Sequence, residues 1–175
     1  MAPPPSVSIR PYEGRDLAAA LGVINAAAKS YHAFLPPEEC HEPLMTPEAF
    51  EREAERVEFY VAEDAHGEVV GVMGLERVRD VALIRHGYIR PDRQRHGIGE
   101  TLLARLERMA GAGTRILIGT YRGNLAAQAH LRKHGYREVA DSDAVLLAYY
   151  DIPEAQRRGS IAFEKKVLGN TGARR

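Results

Sequence analysis

The chain has 175 residues, a formal net charge of +0 at pH 7 and a single cysteine, Cys40. This length suits one domain with a full hydrophobic core, and the balanced charge gives no electrostatic reason to expect nucleic acid or an anionic membrane as a partner. One cysteine excludes an internal disulfide, and no apolar run approaches the length of a membrane span, so we expect a cytoplasmic protein.

Composition also predicts where the domain begins and ends. Residues 1–6 are rich in proline and residues 169–175 are polar, so both segments are expected to be disordered, with a single domain over residues 7–168. Arginine outnumbers lysine 20 to 4, and together with abundant alanine this bias is typical of a GC-rich bacterial genome.

In chain order, the first half predicts one strand, two helices and two further strands, at residues 7–10, 14–31, 46–56, 58–63 and 69–78. Thr46 is placed to cap the second helix, because threonine is a common N-cap residue and Pro47 fits the first helical position. The segment over residues 32–47 is interrupted by prolines and predicts a loop with a turn or two. The last two strands are separated by a polar turn, which is typical of a β-hairpin.

The second half predicts strands at residues 81–89, 115–120, 145–150 and 160–166, with helices that begin at Ile98 and after Asn124. The last two segments are expected to be antiparallel strands joined by a polar loop. The whole pattern predicts a mixed α/β (α+β) fold with one largely antiparallel sheet.

The run over residues 94–99, with the letters QRHGIG, is the most informative feature of the chain. It follows an apolar strand and precedes a helix whose apolar side chains recur at helical spacing until Gly111 stops it. Glycine lets the backbone approach a ligand closely, and the first amides of a helix have no partner within it. The run therefore predicts a site for a phosphate or pyrophosphate at a helix N-terminus.

Two other phosphate motifs are excluded here. A dinucleotide fingerprint would need glycine at Leu102, and a P-loop would need Gly-Lys-Ser/Thr after the run. The run instead resembles the Gln/Arg-x-x-Gly-x-Gly/Ala element of the GNAT family of N-acetyltransferases, in which this loop binds the pyrophosphate of acetyl-coenzyme A.

A second signature of the same family follows in the expected order. Its Asn-x-x-Ala, short helix and Tyr-Glu-Lys-x-Gly-Phe pattern is matched here at Asn124, Ala127, Lys133, Gly135 and Tyr136. The chain is therefore identified as a member of the GNAT family from about residue 7 to 167, and it is similar to a bacterial subgroup without an assigned substrate.

The resemblance implies a twisted, largely antiparallel sheet flanked by helices, with a splayed pair of parallel strands that holds acetyl-coenzyme A as co-substrate. It implies direct attack by a primary amine, of a small molecule or an exposed amino group, within a ternary complex. The main-chain N–H of Ile89 would polarise the thioester carbonyl, and Asn124 would hydrogen-bond the pantetheine arm. The cofactor-binding residues implied are Tyr88, Ile89, Gln94, Arg95, His96, Gly97, Ile98, Gly99, Glu100 and Asn124.

The sequence departs from the family at the proton donor. The tyrosine of the family aligns with Leu131, which cannot donate a proton to the leaving thiolate. Water is one substitute, a neighbour such as His130 or Tyr121 is another, and binding of the cofactor without efficient turnover is the third explanation.

The identity of the general base is also left open by the sequence. The family positions for a base are Leu83 and Arg85, and neither accepts a proton at neutral pH. Strand alternation places His86 on the opposite face, where we expect a structural histidine, and Glu76 is expected to be a solvated surface carboxylate. His86 and Glu76 both stay candidates for the general base, and a water chain to solvent is a further alternative. Without a base, the rate should rise with pH as the acceptor amine deprotonates.

The acceptor pocket is expected from residues 31–45 and from the loop over residues 151–158, with five side chains of first interest: Tyr31, His32, Phe34, Glu42 and Tyr149. His41 and Glu42 lack a second pair of ligands, so no metal is predicted. Two competing hypotheses are a non-catalytic acyl-coenzyme A sensor and an interaction domain that has lost the cofactor. The oligomeric state stays open, a homodimer included.

Overall fold

The structure, a computed structural model, describes residues 6–169. Strands β1 to β7 occupy Val7–Pro11, Glu58–Asp64, Val69–Val78, Val81–Ile89, Arg115–Tyr121, Arg137–Glu138 and Ser160–Lys166. Helices α1 to α6 occupy Leu17–Ala28, Pro47–Ala54, Ile98–Ala110, Leu125–Lys133, Ser142–Tyr149 and Glu154–Arg158. The disorder predicted for residues 1–6 and 169–175 falls mainly on residues 1–5 and 170–175, which lie outside the described residues.

The strands form one seven-stranded sheet in the order β1-β2-β3-β4-β5-β7-β6. Strands β4 and β5 run parallel, with Val81 opposite Arg115 and Ile84 opposite Ile118. The β1/β2, β2/β3, β5/β7 and β6/β7 pairs are antiparallel. The predicted mixed sheet, largely antiparallel with one parallel pair, is confirmed.

The chain divides into two compact units, and β4 contributes to both. The first unit contains the residues up to Glu76 together with Arg85–Arg105. Its core lies between α1, α2 and the sheet, where the fully buried ring of Phe50 stacks on Phe59 with 4.3 Å between ring centroids. Thr46 starts α2 as predicted, because its side chain accepts a hydrogen bond from the amide of Ala49.

The second unit contains Arg77–Ile84 and the residues from Leu106 onward. The side chains of Val81, Leu83 and Leu117 form one buried cluster, and Leu146 packs with Val139 and Ala162 in another. These contacts bring α5 against β7, so the parallel strand pair is covered by apolar side chains within this unit.

The strand predicted over residues 145–150 is wrong, because these residues belong mainly to α5. The side chain of Asp141 accepts a hydrogen bond from the amide of Ala144 and caps the helix, and Leu146 is fully buried on one face. Alanine and leucine favour a helix, which the short apolar run did not reveal. The strand beside β7 is instead β6, and the expected polar loop contains α6.

Within residues 6–169, no helix is both long enough and apolar enough to cross a membrane.

Candidate functional site

The segment that leads into α3 is tied to the β2–β3 hairpin. The amide of Arg90 donates to the carbonyl of Val70 at 2.9 Å, and the guanidinium of Arg93 lies 2.8 Å from a carboxylate oxygen of Asp64. Asp64 is buried and also accepts hydrogen bonds from the amides of His66 and Glu68. The β2–β3 hairpin therefore fixes the position at which the loop before α3 begins.

The loop itself is held by its own side chains. Gln94 donates through Nε2 to the carbonyl of Ile89 at 3.0 Å. His96 donates through Nδ1 to the carbonyl of Gln94 at 2.7 Å, since a carbonyl can only accept. Arg95 has a φ of 63°, the left-handed region that non-glycine residues seldom occupy. These contacts bend the chain tightly before the helix starts.

Helix α3 starts immediately after Gly97, whose φ of 79° is readily accessible only to glycine. The carbonyl of Gly97 accepts from the amide and the hydroxyl of Thr101, which makes it the first acceptor of the helix. The amides of Ile98 and Gly99 precede that first bond, so they have no partner inside the helix. This geometry suits an anion, because the helix dipole adds partial positive charge at the same place.

Packing fixes the direction of α3 as well. Ile98 and Leu102 are buried against β3, where Gly71 leaves room for them. A Cβ at Gly71 would lie 2.9 Å from the Cδ1 atom of Ile89 and 3.0 Å from that of Leu102, so a larger residue there would force these side chains to shift.

Asn124 lies in the second unit, at the N-terminus of α4. Its side-chain oxygen accepts a hydrogen bond from the amide of Ala127 at 3.1 Å, and its own amide donates to the carbonyl of Tyr121. The role as N-cap that asparagine favours is confirmed. A hydrogen bond to a pantetheine arm stays a prediction.

Leu131 is buried on α4, with 6% of its surface exposed. The ring centroids of His130 and His134 lie 4.4 Å apart at the C-terminal end of α4. Tyr121 is the last residue of β5. Leu131, which aligns with the tyrosine of the family, is therefore an apolar side chain packed within the second unit.

Three of the predicted acceptor-site and cofactor side chains meet in the first unit. The hydroxyl oxygens of Tyr31 and Tyr88 lie 2.9 Å apart, and the rings of Tyr31 and Phe34 are 5.5 Å apart between centroids. Burial raises the pKa of the Tyr31 hydroxyl, and the bond to Tyr88 opposes this only in part. His32 and Glu42 are both exposed, and the Nε2 atom of His32 lies 2.9 Å from a carboxylate oxygen of Glu42.

Tyr149 lies apart from these residues in sequence and belongs to the second unit. The guanidinium of Arg79 lies over its ring, 4.5 Å from the centroid, which is a cation–π contact. Its predicted place in the acceptor pocket stays a prediction.

The prediction of a solvated carboxylate at Glu76 is wrong, because this residue is 9% exposed and lies in an ionic cluster of the first unit. Its carboxylate is 2.8 Å from the guanidinium of Arg85 and 3.3 Å from that of Arg56. Glu53, from α2, lies 2.8 Å from Arg56 and 3.3 Å from Arg85. The side chains of Glu53, Glu76 and Arg85 are largely buried, whereas that of Arg56 is 40% exposed, and each of the four charges has a partner of opposite sign.

The predicted separation of Arg85 and His86 onto opposite faces is also wrong. Both side chains reach the same oxygen of Glu53, with His86 Nε2 at 2.9 Å. His86 has a φ of 53°, a left-handed conformation inside β4 that breaks the alternation of the strand. The expectation that His86 has a satisfied hydrogen bond is confirmed.

Sequence reasoning missed Glu53. The one available signal was its place on α2, three residues after the buried Phe50, which puts both side chains on the same helix face. The hydrogen bond from His86 and the charges of Arg85 and Arg56 outweigh burial and lower the pKa of Glu53 from 4.5 to about 2.

This shift predicts acid sensitivity. A carboxylate whose pKa is depressed in the folded state stabilises that state above pH 4.5, and the contribution disappears as the pH falls towards 2. Allowing for solvent screening, we expect it to be about 2 kcal/mol. Urea unfolding of the parent and of Glu53→Gln from pH 7 to pH 2 measures it, with Glu51→Gln on the same helix as control. Equal acid slopes in parent and Glu53→Gln would contradict the assignment.

A metal centre is not indicated in the part of the chain that the structure describes, where no three His, Cys, Asp or Glu side chains come together as ligands would.

Residues 24–136 match the model of the acetyltransferase (GNAT) family. No curated protein matches the chain. The structure is similar to PaiA N-acetyltransferase from Thermoplasma acidophilum in complex with coenzyme A, with a TM-score of 0.73 and 19% identity over 92% of this chain and 99% of that chain.

Two further solved structures have the same fold. An acetyltransferase of the GNAT family from Staphylococcus aureus Mu50 has a TM-score of 0.71 and 16% identity, covering 92% of this chain and 99% of its own. The ribosomal-protein-S18-alanine N-acetyltransferase from Escherichia coli has a TM-score of 0.65 and 21% identity, covering 95% and 97%. At such identities the likeness establishes a shared fold.

Proposed function

Because the chain belongs to the GNAT acetyltransferase family, we propose that it transfers an acetyl group from acetyl-coenzyme A to a primary amine. The acceptor is the amine of a small molecule or an exposed amino group, and it attacks the thioester directly in a ternary complex. The observation that carries the proposal is the start of α3, where a left-handed glycine precedes helix amides that lack an internal partner.

In this proposal the pyrophosphate of coenzyme A binds the amides around residues 96–100. The φ of Gly97, 79°, supports the assignment, since it is a conformation that glycine adopts readily and glycine has no Cβ to obstruct the approach of a ligand to the backbone. Arg95 supplies a positive charge beside the same loop.

Two further roles follow from the family. The main-chain N–H of Ile89 stabilises the oxyanion that develops on the thioester carbonyl, and Asn124 hydrogen-bonds the pantetheine arm. For Asn124 the role is compatible with capping, because its side-chain oxygen caps α4 while its side-chain NH₂ group is a separate donor. Tyr88 adjoins Ile89 and links it to Tyr31.

The acceptor is proposed to bind beside Tyr31, Phe34 and Tyr88, with His32 and Glu42 nearby in the same irregular segment. The hydroxyl pair gives this region hydrogen-bonding capacity, and the rings give it an apolar surface that suits the carbon skeleton of an amine.

The test is thiol release from acetyl-coenzyme A in the presence of primary amines. A useful set contains alkyl amines, aromatic amines, polyamines and a peptide with an N-terminal alanine, since one structural neighbour is an alanine N-acetyltransferase. We expect release that requires both enzyme and amine. Release at the same rate without any amine would contradict transfer.

A second candidate function is a non-catalytic sensor of acyl-coenzyme A. Leu131 favours it, because the buried leucine offers no proton to the leaving thiolate. Calorimetric binding of coenzyme A, with no thiol released from acetyl-coenzyme A in the presence of any amine tested, would support the sensor. Absence of binding would instead indicate an interaction domain without a cofactor.

A further inference from the structure

We propose that the side chain of Tyr150 closes the inner end of the space for the acyl group, and that it restricts the donor to a short acyl chain such as acetyl. The inference rests on the proposed function and adds to it the residue that selects the acyl-coenzyme A. It follows from the point at which the pairing of β4 with β5 ends, from what fills the space beside Gly119, and from the hydrogen bonds of the Tyr150 hydroxyl.

The pairing of β4 with β5 ends at Ile84 and Ile118. Strand β5 continues to Tyr121, and its residues stay paired with β7 over this length. Burial changes at the same point, because Ile116 and Leu117 are fully buried whereas the rest of β5 from position 118 onward is only partly buried. The later residues of β5 are therefore less covered than the earlier ones, as expected beside a ligand site.

The length of the donor brings its acyl group near this point. Gln94 ties the loop proposed to bind the pyrophosphate to the carbonyl of Ile89, the last residue of β4. Ile84 lies five positions earlier, which is about 16 Å along an extended strand. The pantetheine arm has about thirteen chain atoms from its ester oxygen to its sulfur, equal in length to about four extended residues. An arm that runs along β4 thus brings the thioester close to the last paired residues.

Side chains from α5 and from the residue that follows it fill the space beside Gly119. A Cβ at Gly119 would lie 3.1 Å from the Cδ2 atom of Leu146 and 3.7 Å from the Cζ atom of Tyr150, so these two side chains border the position that a larger residue would occupy. Leu146 is fully buried, whereas Tyr150 is partly exposed. Leu146 therefore belongs to the packed interior, and Tyr150 is the part of this filling that a ligand can reach.

Two hydrogen bonds fix the ring of Tyr150. Its hydroxyl oxygen accepts from the amide of Gly119 at 3.1 Å, and the hydroxyl donates to the carbonyl of Leu117 at 3.2 Å. These backbone groups flank Ile118, the last residue of β5 that pairs with β4. Movement of the ring away from this point would break both bonds, so the ring is a fixed boundary at the end of the paired region.

A fixed boundary at this depth limits the length of the acyl chain. Acetyl ends in a methyl group next to the carbonyl, whereas butyryl extends two methylenes further and would meet the ring. Apolar pockets distinguish ligands that differ by one methylene by about 10–200-fold. Packed interiors accept added volume poorly, so we expect the parent to prefer acetyl-coenzyme A to butyryl-coenzyme A.

The experiment replaces Tyr150 by alanine and by leucine, and measures kcat/KM with acetyl-coenzyme A and with butyryl-coenzyme A at one fixed amine. The ratio of butyryl to acetyl transfer should rise about tenfold or more in both variants, because each removes the ring. Leucine keeps apolar packing beside Leu146, so it serves if the alanine variant does not fold. A ratio that stays at the parent value in whichever variant folds would overturn the inference.

Tyr150→Phe and Val145→Ala are the matched controls. Phenylalanine keeps the ring and removes only the hydroxyl, so it should retain the preference for acetyl. Val145 packs with the same two apolar clusters as Tyr150, and its replacement removes apolar volume from α5 without removing the ring. Val145→Ala should lower thermal stability and leave the ratio unchanged. An equal rise of the ratio in Val145→Ala would show that loose packing of α5 changes the preference, and would overturn the inference.

Binding without turnover separates this inference from the proposed function. In calorimetry without an amine, the parent should bind acetyl-coenzyme A more tightly than butyryl-coenzyme A, and Tyr150→Ala should remove the difference. Equal affinity of the parent for both would overturn the inference and leave acetyl transfer intact. A parent that shows the binding preference but transfers to no amine would count against the proposed function alone. Binding of neither acyl-coenzyme A would contradict both.

Discussion

Replacing Gly97 by valine should weaken coenzyme A binding about tenfold or more. At a φ of 79° a β-branched residue is strained, so the loop will relax and its amides will turn away from the pyrophosphate. Binding must then restore a conformation that costs about 1–3 kcal/mol. Isothermal titration of coenzyme A into the parent and the variant measures the difference.

The matched control is Gly113→Val. Gly113 has a φ of 81° in the turn between α3 and β5, with no atom within 4 Å of an added Cβ, so it carries the same backbone strain away from the loop. It should lower stability and leave the affinity for coenzyme A unchanged. A Gly97→Val protein that binds coenzyme A as tightly as the parent would show that this loop does not bind the pyrophosphate.

Introducing tyrosine at Leu131 should raise turnover. The hydroxyl restores the proton donor that the family has at this position, and general-acid help is worth about 10²–10⁴-fold where proton transfer limits the rate. Thiolate is a good leaving group, so we expect a gain of about tenfold, which is below that scale. Steady-state kinetics with acetyl-coenzyme A and a fixed amine provide the measurement.

Leu131→Phe is the control for this change. Because Leu131 is 6% exposed, any ring adds volume at a packed position, and phenylalanine adds it without the hydroxyl. The two variants should lose similar thermal stability, and only the tyrosine should accelerate turnover. Equal rates in both would mean that water or another side chain already protonates the thiolate.

Much of the fold followed from local patterns. Strands β3 and β4 have the predicted bounds, because their apolar runs end at polar turns and at Pro91. Helix α3 begins at Ile98 and ends before Gly111, since spacing and a glycine stop define it on their own. The two glycine-containing signatures then sufficed for the family, because each depends on backbone geometry that few other residues allow.

What the sequence did not reveal depends on contacts between distant segments. The helix at residues 142–149 is short and apolar, so periodicity could not separate it from a strand. The left-handed His86 is invisible to alternation, which assumes a regular pleat. Glu53 and Glu76 lie largely buried beside the guanidinium of Arg85, and no local pattern encodes that Arg85 from β4 would reach Glu53 on α2.

The most direct test of acetyl transfer follows the acetyl carbon itself. The parent is incubated with acetyl-coenzyme A labelled with carbon-13 at the carbonyl and with the set of amines, and the label is followed by NMR. The account predicts that the thioester signal is replaced by an amide carbonyl signal, in proportion to the free thiol released. Label that stays on sulfur, or that appears only as acetate, would contradict it.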